Sequence, residues 1–407
     1  MRKYHFFIQA LSVIVVTQVM GLICWNMIPR LGPLFLEQAG ANAATISLLI
    51  GTLPQMITLI LTPVVSIWSD NHSSAWGRRR PFLWWSAPLF CLALLGIHFA
   101  STNVLLLGCA LTLFALASLV PSTLVFYLVP ETIPREYIGR FTAWNGAISS
   151  ICAAAYNYFG LAWSSQHSLA AIAFAIALYI VAMFFLLVIP RNDVSENKPP
   201  QSPKPFSRIW TLGRSCATEC FRDPKYLMIF LCMGFNQASM ILRTIFGILF
   251  ATNDLAMSPK EFGHIGGICS AIGAITAILL GKHVDRHSPA TFYLHGSLYV
   301  IVISIIGFFF TNSATSYMVI AIITTICYSI QSIAYTPLLV AVFPKEKYGQ
   351  FSSINSTICT LMVMAGSALG GWLTQHMGFR IMFLWDFILT AMGTMFLLGF
   401  KRMHRNR

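Results

Sequence analysis

Pro134-Arg135-Glu136-Tyr137-Ile138-Gly139-Arg140-Phe141 returns 210 residues later as Pro344-Lys345-Glu346-Lys347-Tyr348-Gly349-Gln350-Phe351. Pro, Glu, Gly and Phe hold their places, and one Arg gives way to Lys. Each copy sits between two long apolar runs. Earlier in the chain a shift of 215 pairs Gly32, Leu34 and Phe35 with Gly247, Leu249 and Phe250. The same shift pairs Gly51 with Gly266, and Asp70, His72 and Ser73 with Asp285, His287 and Ser288. A single match would be noise. Matches in order, at equivalent loops and with a drift of only five residues, indicate a duplicated unit.

The apolar runs around these loops decide what the unit is made of. Only 10% of the 407 residues are charged and 57% are hydrophobic, whereas soluble chains carry about 25% charge. Mean hydropathy is +0.71. A water-soluble protein of this size cannot bury that much apolar surface, so lipid is the solvent for much of it. A helix crossing a bilayer needs roughly 20 mostly apolar residues. Six such runs are expected at 6–29, 44–68, 82–101, 103–128, 141–165 and 168–189. Six more follow at 226–252, 260–281, 290–311, 315–342, 351–376 and 379–400. Between the sets, 191–225 is polar and holds Pro199, Pro200, Pro203 and Pro205, the composition of a linker. The expected fold is all-α and membrane-embedded, with twelve transmembrane helices in two six-helix bundles, 1–190 and 226–407, joined by a cytoplasmic linker at 191–225.

Charge placement orients this plan. The net charge of +13 would suit a nucleic-acid binder. Its distribution speaks against that, because 22 of the 26 Lys and Arg fall in the tails and alternate loops. With both termini inside, these are the inner segments, as the positive-inside rule requires. The exceptions are Arg30, Arg243, Lys260 and Arg380. The first run is too long for a signal peptide and lacks a cleavage site of small residues. A multi-pass protein of the cell (inner) membrane is expected. Most cysteines lie inside apolar runs and behave as small apolar residues. Cys216 and Cys220 share a loop without His, so neither a metal site nor a disulfide framework is expected.

The stretch Ser69-Asp70-Asn71-His72-Ser73-Ser74-Ala75-Trp76-Gly77-Arg78-Arg79-Arg80-Pro81-Phe82 resembles the signature loop of major facilitator superfamily transporters. It is similar more narrowly to the form found in sucrose/proton symporters and the glycoside–pentoside–hexuronide group. Glu131-x-x-Pro134-x-Glu136-x-x-Gly139-Arg140 resembles the loop after the fourth helix in bacterial relatives. The chain departs from that narrower group in two ways. Asn71 and Ala75 stand where its loop carries arginines, and the fourth span has no carboxylate where proton-coupled sucrose carriers have one. The second span also lacks the acidic pair of sodium-coupled melibiose-type carriers. The resemblance implies the major facilitator fold, a carrier working by alternating access, and gating at the inner loops. There it implicates Asp70, Arg78, Arg79, Glu131 and Arg140, with Asp285 the repeat counterpart of Asp70. Asp70 can accept from an arginine of its own loop or from helix N-terminal amides. The plainer reading of the arginines is as topology determinants beside anionic lipid.

Charges inside apolar runs are functional candidates, because each costs several kcal/mol unless paired or hydrated. Arg243 in the seventh span and Asp386 in the twelfth fall at similar depth and can meet. Arg243 is the better solute-binding candidate, and for Asp386 a structural pair or an interfacial position is expected. A pyranose has an apolar face and a polar edge, so sugar sites combine aromatic rings with amides. Tyr328, Gln331 and Tyr335 share one face of the tenth span. Gln18 and Trp25 share a face of the first, with Asn26 adjacent. Asn236 and Gln237 lie on the seventh, Trp144 and Asn145 on the fifth. The competing explanation is that Tyr and Trp mark interfaces and that amides hold helices together. His98 and His295 lie near span ends, where a solvated or capping role is commoner than proton coupling.

The sequence reading is therefore a non-enzymatic carrier of a small solute, a sugar or glycoside before others, acting as a monomer without cofactor. Symport with protons and uniport both remain open. Efflux of amphipathic compounds is the nearest alternative, and a non-transporting receptor on the same fold is another. No nucleophile, acid pair or phosphate loop supports an enzyme or an ATP-driven pump.

Overall fold

The computed structural model describes residues 2–71, 80–133, 137–188, 221–284 and 288–405. Among them the long elements are all helices: α1 (2–38), α2 (43–71), α3 (Arg80–Phe99), α4 (Val104–Thr132), α5 (138–166) and α6 (Ser168–Val188). Then come α7 (224–254), α8 (Pro259–Val284), α9 (Pro289–Phe310), α10 (Ala314–Val342), α11 (Tyr348–Met377) and α12 (Ile381–Arg405). Each expected span finds its helix. Eleven are long and apolar enough to cross a membrane, which makes this a multi-pass membrane protein. The exception is α5, whose length carries Asn145, Ser149, Ser150, Asn157 and Ser164. A span that keeps so many polar groups needs protein or water beside it, since lipid offers them no partner.

Helix starts follow from capping side chains that take orphan backbone N–H groups. Asn42 accepts from Thr45 N at 2.8 Å, and Asn103 from Leu105 N at 2.9 Å. Asp223 caps α7, with Pro224 in the first turn where it gives up no helical hydrogen bond. Ser313 and Ser316 form a reciprocal capping box at the start of α10. α11 ends at Gly378, whose φ of +80° is left-handed and open to glycine at little cost. Among the described residues four helices carry a wider π-turn, at Leu22–Met27, Leu48–Thr52, Tyr156–Gly160 and Phe250–Asp254.

The chain divides into two compact units, 1–41 with 56–203, and 42–55 with 204–407. Most of the expected 191–225 linker, residues 191–220, lies outside the described residues. In the first unit α1 packs on α6, α4 and α5. Val13, Val16 and Ile23 of α1 have no exposed surface. Phe90 of α3 stacks near Tyr179 of α6 and Phe114 of α4, with centroids 4.5 and 5.4 Å away.

In the second unit α7 lies against α11 and α12, and α9 against α10 and α12. Its apolar residues collect in two aromatic layers. One holds Tyr226, Phe230, Phe343 and Phe351 near the start of α7, with Tyr226 and Phe351 centroids 4.6 Å apart. The other holds Phe246, Phe250, Tyr317, Phe379 and Phe383 near its end. Residues 42–55 join this unit through small side chains. Ser47 donates to the Ser367 carbonyl at 2.6 Å, and Ser367 donates to the Ser47 carbonyl at 3.0 Å. A Cβ on Gly371 would stand 2.3 Å from the Ser47 Cβ, so only glycine permits this approach.

Candidate functional site

Between the two aromatic layers α7 turns polar. Its regular helix breaks at Met240 between Pro224–Ser239 and Ile241–Leu249. Trp385 of α12 donates its indole N–H to the Ala238 carbonyl beside the break, at 3.1 Å. Just past it, Arg243 meets Asp386. Its Nε donates to Asp386 Oδ2 at 2.8 Å, and its Nη2 donates to the same oxygen. Asp386 is fully buried, and Arg243 keeps 19% of its side chain exposed. The guanidinium also lies over the Phe383 ring, 4.9 Å from its centroid. The Tyr328 hydroxyl stands beside Asp386 and Ser239. Its O–H is the donor in reach of the buried carboxylate, on the side away from Arg243.

One turn along α10 the seam closes on itself. Gln331 Nε2 donates to Asn236 Oδ1 at 2.6 Å and to Ser297 Oγ of α9 at 2.9 Å. Asn236 donates in turn to the Cys232 carbonyl at 2.8 Å. Gln331 and Asn236 are both buried. Glycines make room for them: a Cβ on Gly393 would stand 2.3 Å from Asn236 Nδ2, and one on Gly296 2.9 Å from Gln331 N. Further along, Asn355 of α11 donates to Tyr335 Oη at 3.0 Å. The buried Asn355 keeps its Oδ1 without a partner. Gln237 points the other way and is exposed.

The first unit has a smaller counterpart. Gln18 Nε2 donates to the carbonyl of Asn145 at 3.0 Å and to its Oδ1 at 2.9 Å, and Thr17 Oγ1 donates to that Oδ1 at 2.8 Å. Gln18 is buried, whereas Trp25, within the π-turn of α1, is 69% exposed. Asn26 donates to the Gly21 carbonyl at 3.2 Å. α5 exposes two faces. Thr142, Gly146 and Ser149 line a small polar one, and Trp144, Ile151, Ala155 and Phe159 an apolar one. That division suits a helix with water on one side and lipid on the other.

The structure thus brings Arg243, Tyr328, Gln331, Asn236 and Tyr335 together along one seam of the second unit. It places Gln18, Trp25 and Asn26 on α1 of the first. Among the gating candidates, Arg78, Arg79 and Asp285 lie outside the described residues, as do the side chains of Asp70, Glu131 and Arg140. His98 Nδ1 lies 2.9 Å from Ser168 Oγ, at the start of α6. His295 is exposed and stacks on Tyr299. Sequence reasoning did not single out Ser239, Ser297 or Asn355. The available signal was their helical register: Ser239 follows Asn236 by three residues, and Asn355 begins a line of small residues on α11. Among the described residues no three His, Cys, Asp or Glu side chains gather as a metal would need.

A family model described as Major Facilitator Superfamily matches residues 13–362 and 236–407. The chain belongs to the Major Facilitator Superfamily. It is accordingly a membrane transporter of a small solute by alternating access, and not an enzyme. Solved structures of the superfamily share its fold. A bacterial homologue of the iron transporter ferroportin, inward-facing, superposes with a TM-score of 0.72 at 14% identity, covering 98% of each chain. A bacterial homologue of the human lysosomal transporter Spinster gives 0.69 at 13% identity over 98% of this chain and 97% of that one. The nucleoside transporter NupG gives 0.69 at 11% identity over 98% of this chain and 99% of that one. No curated protein matches the chain.

Proposed function

We propose that this superfamily member carries a saccharide or glycoside across the cell (inner) membrane, with both termini in the cytoplasm. The observation that carries the reading is the seam of α7, α10 and α12, where Arg243 and Tyr328 put a fixed charge and an aromatic ring beside amides. A hydroxyl-rich solute needs that mixture of flat apolar surface and directional hydrogen bonds. The two loops that resemble sucrose-type carriers support the same class. Arg243, Tyr328, Tyr335, Gln237, Trp25 and Asn26 are the proposed contact residues. Gln18, Asn236 and Gln331, already hydrogen-bonded in burial, hold the contact helices in register and meet solute only by exchanging those bonds. Asp70, Arg78, Arg79, Glu131, Arg140 and Asp285 are proposed to gate the inner side. A solute that binds only the folded carrier raises its melting temperature. A thermal-shift screen of purified protein against sugars, glycosides, amino acids and nucleosides therefore tests the class. Stabilisation by a nucleoside or amino acid, with none by any saccharide, would overturn it.

A further inference from the structure

α1 is enclosed along nearly its whole length. Between Ser12 and Leu36, all of them described, Trp25 is the only exposed side chain. It stands at the middle of the span Ala10–Gln38. Tryptophan gathers at membrane interfaces, where its N–H meets water, and gains little from the centre of the hydrocarbon. A Trp held open at mid-span therefore belongs on a water-lined wall.

A local irregularity holds it there. Trp25 lies within the π-turn Leu22–Met27, a wider turn that swings the side chains it carries and is found mostly at functional places. Asn26 donates to the Gly21 carbonyl at 3.2 Å, five residues back, the spacing at which a π-turn closes. This turn packs on a second one, Tyr156–Gly160 of α5. Gly160 makes the fit possible. A Cβ there would stand 2.7 Å from Tyr156 Cδ2, so the ring lies back over its own turn. The Tyr156 hydroxyl, closed to solvent, stands beside Ser164 and near Arg30 of α1, three residues past the π-turn. The duplicated unit has its own version of the device. The shift of 215 takes Trp25 to Met240, where the regular helix of α7 breaks and the side chain is again exposed.

We infer that Tyr156 is a positioning residue: seated over Gly160 and reaching toward Arg30, it holds α1 in the π-register that turns Trp25 to the solute. The inference rests on reading Trp25 as a solute contact and adds how that contact is held. Loss of the tie lets the turn tighten to a regular helix. Removing the extra residue rotates one half of α1 against the other by about 100°, and Trp25 withdraws. An indole fixed at one angle suits the flat face of a ring. The solute it selects is therefore cyclic, a pyranose or pyranoside and not an open-chain polyol.

The test needs no solute. Trp25→Cys is made in the otherwise unchanged chain, purified in detergent and treated with a charged methanethiosulfonate. Peptide mass spectrometry then reads the labelling at position 25 apart from the native cysteines. Position 25 should label readily, because a charged reagent reaches a side chain in water and not one in detergent. Adding Tyr156→Phe should slow labelling about three- to tenfold, the population change that loss of one buried polar contact brings. Gly160→Ala, which displaces the ring, should slow it at least as much. Melting temperatures on the same samples establish that each chain is folded, and if Gly160→Ala is not, Tyr156→Phe decides alone. Resistance of position 25 in the parent chain would overturn the inference, as would an unchanged rate in either folded variant. The saccharide reading fails separately, by the absence of any saccharide response in the thermal-shift screen.

Discussion

Gln331 serves two partners with one amide nitrogen, Asn236 Oδ1 and Ser297 Oγ, in a place almost closed to solvent. Truncation to Ala strands a buried carbonyl oxygen, a defect worth about 1–3 kcal/mol. Gln331→Ala should therefore lower the melting temperature while the intact fraction binds solute with near-normal affinity. Tyr328→Ala should weaken affinity up to roughly tenfold as a ring face and a hydroxyl are lost, and, because the ring is largely buried, lower the melting temperature as well. Both quantities are to be measured on the same preparations, and weakened binding without a stability change in Gln331→Ala would make that amide a solute contact. Asp70 poses a different question, because its proposed role is in the balance between states. A bias of ~1.4 kcal/mol in that balance changes a rate about tenfold. Asp70→Asn should slow flux by about that factor with expression and binding intact, and wild-type flux would remove Asp70 from the gate.

At the scale of elements, the contact between α2 and α11 depends on the absence of side chains. Gly371→Ala would drive a Cβ to within 2.3 Å of the Ser47 Cβ. Overpacking of that kind costs about 1–3 kcal/mol. Adding Ser47→Gly in the same chain removes the obstacle. The double variant should recover most of the melting temperature lost by Gly371→Ala, whereas failure to recover would mean that the two helices are not held apart by these atoms. Elements of this kind were the best-read part of the sequence. Runs of about twenty apolar residues found all twelve helices, because lipid leaves the backbone few alternatives to a helix. The pairing of Arg243 with Asp386 was also legible, since two charges at similar depth in apolar runs have few other partners. What hydropathy could not convey is which faces meet. Gln331 and Asn236 each looked like cavity amides when taken singly, and their mutual hydrogen bond depends on Gly296 and Gly393 drawing α9 and α12 close. The loops that carry Arg78, Arg79 and Asp285 lie outside the described residues, so the gating motif stays a sequence argument.

For the whole molecule the outstanding question is orientation. Lys and Arg crowd one set of loops, and their placement near span ends sets topology. Single cysteines introduced at positions 200 and 404 should react with impermeant reagents only from the cytoplasm. One introduced at Ala256, in the short turn after α7, should react only from outside. Opposite accessibility of 200 and 404 would break the twelve-span arrangement. The membership of 42–55 in the second unit has a further consequence, for the order in which the molecule is made. Ser47 and its partner Ser367 are separated by 320 residues. At a synthesis rate of about 5–20 residues per second, the first part of α2 waits roughly 15–60 s for the helix that receives it. During that interval its small, hydroxyl-bearing face has to be sheltered by the insertion machinery or by a temporary neighbour. Ribosome-bound nascent chains stopped before α11 should consequently be more open to proteases near 42–55 than chains stopped after it.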